Sequence, residues 1–200
     1  ADGLSMFGTK WGIFPSVQMA YVITNEQWFP KNKGVDYLRF TLGYDVTGND
    51  DIDYTASRSY FVSNLMIDGM ITGKSLGNVG NSSLKWETTR RITPGLEGSF
   101  FGNHLHLAFN YFASWTDDLL TLRQMSWTSG VQQNWQNGGK LENHGFDVSV
   151  AYKVLNTKDW HWQLGASVGR YKNKVTALDG KDYFDTEMFG ATVRTSVGNP

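Results

Sequence analysis

The segment from Leu84 to Leu120 constrains the fold most, because its pattern predicts two long β-strands joined by a tight turn. The turn, Phe101-Gly102-Asn103, contains the glycine and asparagine that hairpins favour, since both reach positive φ at little steric cost. Each predicted strand is longer than ten residues, whereas strands of globular sheets usually run about 5–6 residues. Apolar and polar side chains alternate along both strands and therefore occupy opposite faces. This combination of length and alternation is typical of a membrane-spanning β-hairpin.

Composition excludes several classes of protein. Charged residues make up 18% of the chain, below the roughly 25% of ordinary soluble domains. The sequence contains no run of 18 apolar residues, which excludes a transmembrane helix. The net charge of -1 without a basic block argues against nucleic acid as the main partner. The absence of cysteine excludes disulfide scaffolds, thiolate zinc sites and a cysteine nucleophile.

The same alternation recurs before and after this segment and predicts further strands. They cover residues 13–23, 36–46, 141–154 and 159–175, with a strand or hairpin at 60–71 and a short strand at 188–195. The connections after residues 23, 101 and 154 are short, and those after 46, 120 and 175 are long. Outer-membrane barrels combine short periplasmic turns with long external loops, so the first strand is expected to descend to the periplasm and the second to rise.

The position of charged side chains predicts which face of these strands meets lipid. A charge facing lipid at the bilayer midplane costs about 2–4 kcal/mol, and the cost falls to about 0–1 kcal/mol near the interfaces. The charges opposite the apolar rows are Arg39, Arg91, Glu97 and Asp147. The apolar rows are therefore predicted to face lipid through Leu38, Phe40, Leu42, Leu105, Leu107, Phe109, Phe146, Val148 and Val150. Arg90 and Arg170 break the pattern, but both lie toward the outer ends of their strands.

Pro94 lies in the middle of a predicted strand, on the face assigned to lipid. Proline cannot donate a hydrogen bond to a β-ladder. We therefore expect either a β-bulge or a locally lost hydrogen bond at this position.

Six phrases of the chain carry a family resemblance. They are IFPSVQMAYVITNEQWF (13–29), LRFTLGYDVTGNDDI (38–52), LKWETTRRITPGLEGSFF (84–101), LHLAFNYFASWTDDLL (105–120), GKLENHGFDVSV (139–150) and WQLGASVGRYKNKVTALDG (162–180). Taken in order, they resemble the SusC/RagA family of TonB-dependent outer-membrane transporters over roughly residues 13–180. The resemblance implies an all-β fold, with about seven to eight strands of a 22-stranded antiparallel transmembrane barrel. It also implies that residues 1–200 belong to the barrel domain, without the plug, signal sequence or barrel-closing strand.

The resemblance implies a role in nutrient uptake across the outer membrane of Bacteroidetes-type bacteria. Family members import oligosaccharides or peptides beneath a SusD-like surface lipoprotein, and the TonB complex acts on the plug. No catalysis and no cofactor are expected in this segment. A soluble β-sandwich carbohydrate-binding module is the alternative, and an enzyme domain using loop carboxylates comes third. The choice between glycan and peptide as cargo stays open.

Aromatic residues in the long loops are the candidate substrate contacts: Tyr60, Phe61, Trp127 and Trp135. Flat aromatic rings stack on sugar rings or on peptide side chains. Packing within the loops, or contact with a lid protein, explains the same residues as an alternative.

The polar clusters do not match a metal site or a catalytic site. The aspartates of residues 50–53 lack the spacing of a calcium loop. His104 and His106 have no third ligand nearby in the sequence, so no metal is predicted there. Asp117 and Asp118 are adjacent on a strand and point opposite ways, which argues against an acid/base pair.

Overall fold

The computed structural model describes residues 11–30, 34–53, 55–67, 70–126, 128, 130–131, 133–178, 182–188 and 191–199. The strands are β1 (Ser16–Val22), β2 (Val35–Asn49), β3 (Tyr60–Ile67), β4 (Met70–Asn78), β5 (Glu87–Phe100), β6 (Leu105–Asp117), β7 (Leu120–Gln124), β8 (Gln133–Asn137), β9 (Lys140–Asn156), β10 (His161–Ala177), β11 (Tyr183–Met188) and β12 (Ala191–Ser196). A 3₁₀ turn, Ile23–Asn25, follows β1. No helix among these residues is long and apolar enough to cross a membrane.

Six strands, all but β1 longer than ten residues, form one open antiparallel sheet in the order β1-β2-β5-β6-β9-β10. The predicted all-β antiparallel fold is therefore confirmed. The sheet has fewer strands than the seven to eight expected, because residues 60–71 belong to a separate hairpin, β3–β4. The short strand predicted at 188–195 also lies outside the sheet, largely within β12 of the hairpin β11–β12.

The connections divide the sheet into a turn end and a hairpin end. Residues 23–34, 101–104 and 157–160 connect strands at the turn end, and the hairpins β3–β4, β7–β8 and β11–β12 all extend from the hairpin end. The predicted alternation of short and long connections is confirmed. This alternation places all the long loops side by side at the hairpin end.

The tight turn between β5 and β6 forms where the sequence predicts it. Phe101, Gly102 and Asn103 have φ values of 56°, 66° and 62°, all in the left-handed region. The N–H of Asn103 donates to the Asp36 carboxylate at 2.8 Å, and the N–H of Phe101 donates to the Gly34 carbonyl at 3.1 Å. These two bonds hold the turn against the start of β2, which explains why Phe101 tolerates a conformation that favours glycine.

Pro94 interrupts one side of the ladder without shifting it. It remains paired with Leu42 on β2. On the β6 side, pairing is continuous as far as Ile92 with Ala113 and resumes at Gly95 with Asn110 in the same register. Of the two outcomes expected at this proline, the structure shows the locally lost pairing and not the bulge.

Candidate functional site

One face of the six-stranded sheet carries charged and polar side chains that pair across strands. The Arg91 guanidinium donates to both carboxylate oxygens of Asp45, at 3.0 and 3.1 Å. Arg39 pairs with Glu97 across the same two strands. The Asn110 amide donates to Asp147 at 3.0 Å, which continues the row onto β9. These charges therefore have partners across the strands, and exposed pairs of this kind are worth about 0–1 kcal/mol.

The opposite face is a continuous apolar surface. The residues predicted to face lipid all occupy it, because cross-strand partners share a face: Leu38, Phe40, Leu42, Leu105, Leu107, Phe109, Phe146, Val148 and Val150. Phe109 and Phe146 lie side by side with ring centroids 6.5 Å apart. Although β6 has a neighbouring strand on both sides, Phe109 is still 45% exposed. In the described part of the chain no second sheet stacks on this face.

Charged side chains end the apolar surface at heights that differ between strands. One register row aligns Leu96, Phe109, Val148 and Val168 across β5, β6, β9 and β10. Toward the hairpin end, this face reaches its first aspartate, glutamate, lysine or arginine six positions beyond the row on β5, eight on β6, six on β9 and two on β10, at Arg90, Asp117, Glu142 and Arg170. This boundary between apolar and charged side chains therefore lies nearest to the row on β10.

The loops at the hairpin end are joined to each other by asparagine side chains. The Asn137 amide donates to the carbonyls of Lys85 and Asp118 at 2.9 and 2.8 Å, and its oxygen accepts from the Lys85 N–H at 2.7 Å. The Asn81 amide donates to the Trp135 carbonyl at 3.1 Å. These bonds link residues 50–86 to residues 118–139. A small core of Ala56 and Leu84, with Ile52, Trp86, Leu120 and Trp135 packed against it, lies beneath them.

A cleft of about 620 Å³ opens between the hairpins β3–β4 and β7–β8. Its aromatic lining comes from Tyr60 and Trp135. Its polar lining includes Asp53, Asn78 and Gln133. Many pockets that bind small organic ligands combine aromatic faces with a few hydrogen-bonding groups.

Asp53 supplies a negative charge to this cleft. Its carboxylate accepts hydrogen bonds from the Thr55 hydroxyl at 2.6 Å and from the Thr55 N–H at 2.8 Å. These bonds favour the charged form, and they hold the pKa of Asp53 below its ordinary value. The cleft therefore offers a fixed carboxylate at neutral pH.

The structure brings together two of the four aromatic residues that the sequence singled out. Tyr60 and Trp135 line the same cleft although they are far apart in the sequence. Phe61, the next residue on β3, is 69% exposed and does not line it. Trp127 lies outside the described residues. The linking role of Asn81 and Asn137 could not be predicted, because the abundance of asparagine in these segments indicates loops in general.

The other polar candidates have local partners. The His106 ring hydrogen-bonds the Ser99 hydroxyl at 2.8 Å, and the His104 ring bonds the Lys153 carbonyl at 3.0 Å. Asp117 pairs with Arg90 and lies 3.0 Å from the Lys140 ammonium. No group of three or more metal-ligating side chains occurs among the residues described.

Comparison with known proteins identifies the family. Residues 9–199 match the family model described as TonB dependent receptor-like, beta-barrel. This chain belongs to the TonB-dependent receptor family. It is 32% identical over 188 residues to TonB-dependent receptor P3 of Formosa agariphila, which covers 92% of this chain and 19% of that receptor. It is 30% identical over 193 residues to TonB-dependent receptor SusC of Bacteroides thetaiotaomicron, with 92% and 19% covered.

Solved structures of the RagAB peptide transporter share its fold. The RagAB peptide transporter superposes with a TM-score of 0.80 at 26% identity, covering 94% of this chain and 20% of the transporter chain. The RagAB peptide importer in its open-open state gives a TM-score of 0.78 at 26% identity, with the same coverage. The chain thus spans about a fifth of the length of the curated relatives it matches. The open sheet is a TonB-dependent barrel-type fold, and the resemblance to the SusC/RagA family is confirmed.

Proposed function

We propose that this chain forms part of the barrel wall of an outer-membrane importer. The apolar face of the sheet meets lipid, the polar face lines the lumen, and the hairpin end lies outside the cell. Residues 1–200 all belong to the barrel domain, and the chain carries out no catalysis. A TonB complex drives opening through a plug that belongs to the whole transporter.

The observation that supports this proposal is the uncovered apolar face of the sheet. An uncovered apolar face of this extent is unsuited to water, because contiguous exposed patches on soluble monomers rarely exceed a few hundred Å². A β-sandwich would bury Phe109 in a packed core, yet this side chain is 45% exposed on a central strand.

We propose that the cargo is an oligosaccharide or a peptide and that it contacts the cleft between β3–β4 and β7–β8. Tyr60 and Trp135 offer ring surfaces, while Asp53 and Asn78 offer hydrogen-bonding groups. Phe61 and Trp127 remain proposed contacts in the same loops. One relative is named SusC and the solved neighbours are RagAB complexes that transport peptides, which supports a SusD-like surface lipoprotein as the partner that covers these loops.

Charged substitutions on the two faces test the wall assignment in the full-length transporter. Val148→Arg puts a cation on the apolar face in the central register row, where exposure to lipid costs about 2–4 kcal/mol. We expect a severalfold loss of folded barrel in the outer-membrane fraction, measured by heat-modifiable migration on gels, with a matching loss of nutrient uptake. Ser149→Arg, one residue away on the polar face, is the matched control and should assemble normally. Equal assembly of both variants would refute the wall assignment.

A further inference from the structure

Three basic residues follow the apolar rows on β10 without a break. Arg170, Lys172 and Lys174 lie opposite Phe146, His144 and Glu142 in register. Because cross-strand partners share a face, all three belong to the same face as Phe146 and Val148. They are exposed and begin two positions beyond Val168, at the boundary described above.

Positive charge exceeds negative charge around this boundary. Five cations and two carboxylates lie on this face toward the hairpin end: Arg90, Lys140, Arg170, Lys172, Lys174, Asp117 and Glu142. Asp117 is taken by Arg90 and Lys140. Glu142, which lies opposite Lys174, approaches the His144 ring nitrogen at 4.0 Å.

β10 is an edge strand of the open sheet, and within the described part of the chain none of its three cations forms a side-chain hydrogen bond or an ion pair. Alternate residues of a strand lie about 7 Å apart, so three neighbouring positive charges repel one another. Exposed lysine and arginine stems also extend along apolar surface with their charged groups directed toward water. An external anion at the level of the boundary would relieve this repulsion.

We infer that Arg170, Lys172 and Lys174 bind the phosphate groups of a glycolipid in the outer leaflet of the membrane. This inference rests on the proposed function, since it requires the apolar face to meet lipid. A lipid whose acyl chains lie on the Val148–Val168 rows carries its phosphorylated sugar head at the height of Arg170. Dianionic phosphates are bound well by arginine and lysine through charge-assisted hydrogen bonds.

Native mass spectrometry of the full-length transporter in detergent tests the inference. The probes are bisphosphorylated lipid A and the same lipid with both phosphates removed. Each basic residue near an anionic membrane surface contributes about a fivefold gain in binding. We therefore expect Lys172→Gln with Lys174→Gln to weaken binding of the bisphosphorylated lipid by about 25-fold and to leave binding of the dephosphorylated lipid unchanged.

Lys153→Gln with Lys158→Gln is the matched control, because it removes the same charge at the turn end of the sheet. This double variant should bind both lipids like the unmodified transporter. Lys172→Arg with Lys174→Arg keeps the charge and should retain binding, which separates a loss of charge from a loss of folding.

Several results would overturn the inference. One is equal binding of the two lipids by the unmodified transporter, and another is full binding by the double glutamine variant. Displacement of the lipid by inorganic phosphate at an equal concentration would indicate a soluble-anion site instead. Membrane insertion of the unmodified transporter is measured in the same preparations. Normal insertion without a preference for phosphate refutes the inference alone, whereas failure to insert refutes the proposed function.

Discussion

At the scale of single residues, several charged side chains of this chain pair across neighbouring strands. The pairs of Arg91 with Asp45 and of Arg194 with Asp185 have the same two-pronged geometry, one on the sheet and one on the hairpin β11–β12. Arg194 also lies over the Tyr183 ring, 4.1 Å from its centroid. Such bonds fix the register of two strands more than they add to stability, since exposed pairs are worth about 0–1 kcal/mol.

The pair on β11–β12 predicts a pH dependence for that hairpin. Hydrogen bonds from Arg194 lower the pKa of Asp185 below its ordinary value. A lowered pKa in the folded state means that the pair stabilises the hairpin above pH about 4 and loses this effect as the pH falls through the lowered pKa. We expect amide protection of residues 183–196 in the full-length transporter, measured by hydrogen exchange corrected for intrinsic rates, to decrease between about pH 5 and pH 2.

Asp185→Asn is the control for this pH dependence. The asparagine does not titrate, so the protection of residues 183–196 should be lower than in the unmodified protein at about pH 5 and should change little on acidification. A decrease of the same size in both proteins would show that another group is responsible.

At the scale of strands and hairpins, alternation was sufficient to predict the main sheet and insufficient for the loops. Val148 and Phe109 could be assigned to one face because a period of two relates side chains to faces directly. The number of strands in the sheet could not be predicted. The strand-like composition of residues 60–71 is compatible with a strand of the main sheet and equally with the separate hairpin β3–β4. Tyr60 and Trp135 line one cleft because loops that are distant in sequence contact each other. No local sequence pattern predicts such contacts.

Asn137 is predicted to hold the hairpin β7–β8 to the rest of the loop assembly. Asn137→Ala removes three hydrogen bonds and leaves both backbone groups of Lys85 without this partner. Loss of partners for such groups costs about 1–3 kcal/mol each when they are buried, and less here because Lys85 is exposed. We expect faster limited proteolysis within residues 118–139 of the full-length transporter.

The matched control for this variant is Gln133→Ala on the same hairpin. The Gln133 side chain is exposed and makes no hydrogen bond to any residue described. This variant should be cut at the rate of the unmodified protein. If Asn137→Ala is also cut at that rate, the asparagine bonds do not hold the loops together.

At the scale of the whole molecule, the two ends of the sheet differ in what they can do. The turn end consists of compact connections such as residues 101–104 and 157–160. The hairpin end has its own small core, a cleft of about 620 Å³ and the cationic positions of β10. In the proposed transporter, the cargo, a covering lipoprotein and the head groups of the lipid therefore all contact the hairpin end.

Removal of an aromatic ring from the cleft is predicted to reduce uptake. Tyr60→Ala takes away one of the two rings that line it, and an aromatic contact is worth about 0.5–1.5 kcal/mol, or roughly two- to tenfold in affinity. We expect the concentration of cargo that gives half-maximal uptake to rise by about this factor in cells producing the full-length transporter. Tyr183→Ala, on the hairpin β11–β12 away from the cleft lining, should leave it unchanged. Equal effects of the two variants would contradict a role for the cleft.

The unbroken register through Pro94 has a consequence for changes in chain length. Inserting or deleting one residue within β5 would turn every following side chain to the other face. A change of two residues would keep the faces but move the boundary at Arg90 by about 7 Å along the strand. Insertions or deletions in segments such as 50–86 and 118–139 neither turn side chains to the other face nor move this boundary, since these segments connect strands without belonging to the sheet. Variants of this protein that differ in length should therefore differ at the hairpin end, where the proposed cargo contacts lie, while the sheet keeps its register.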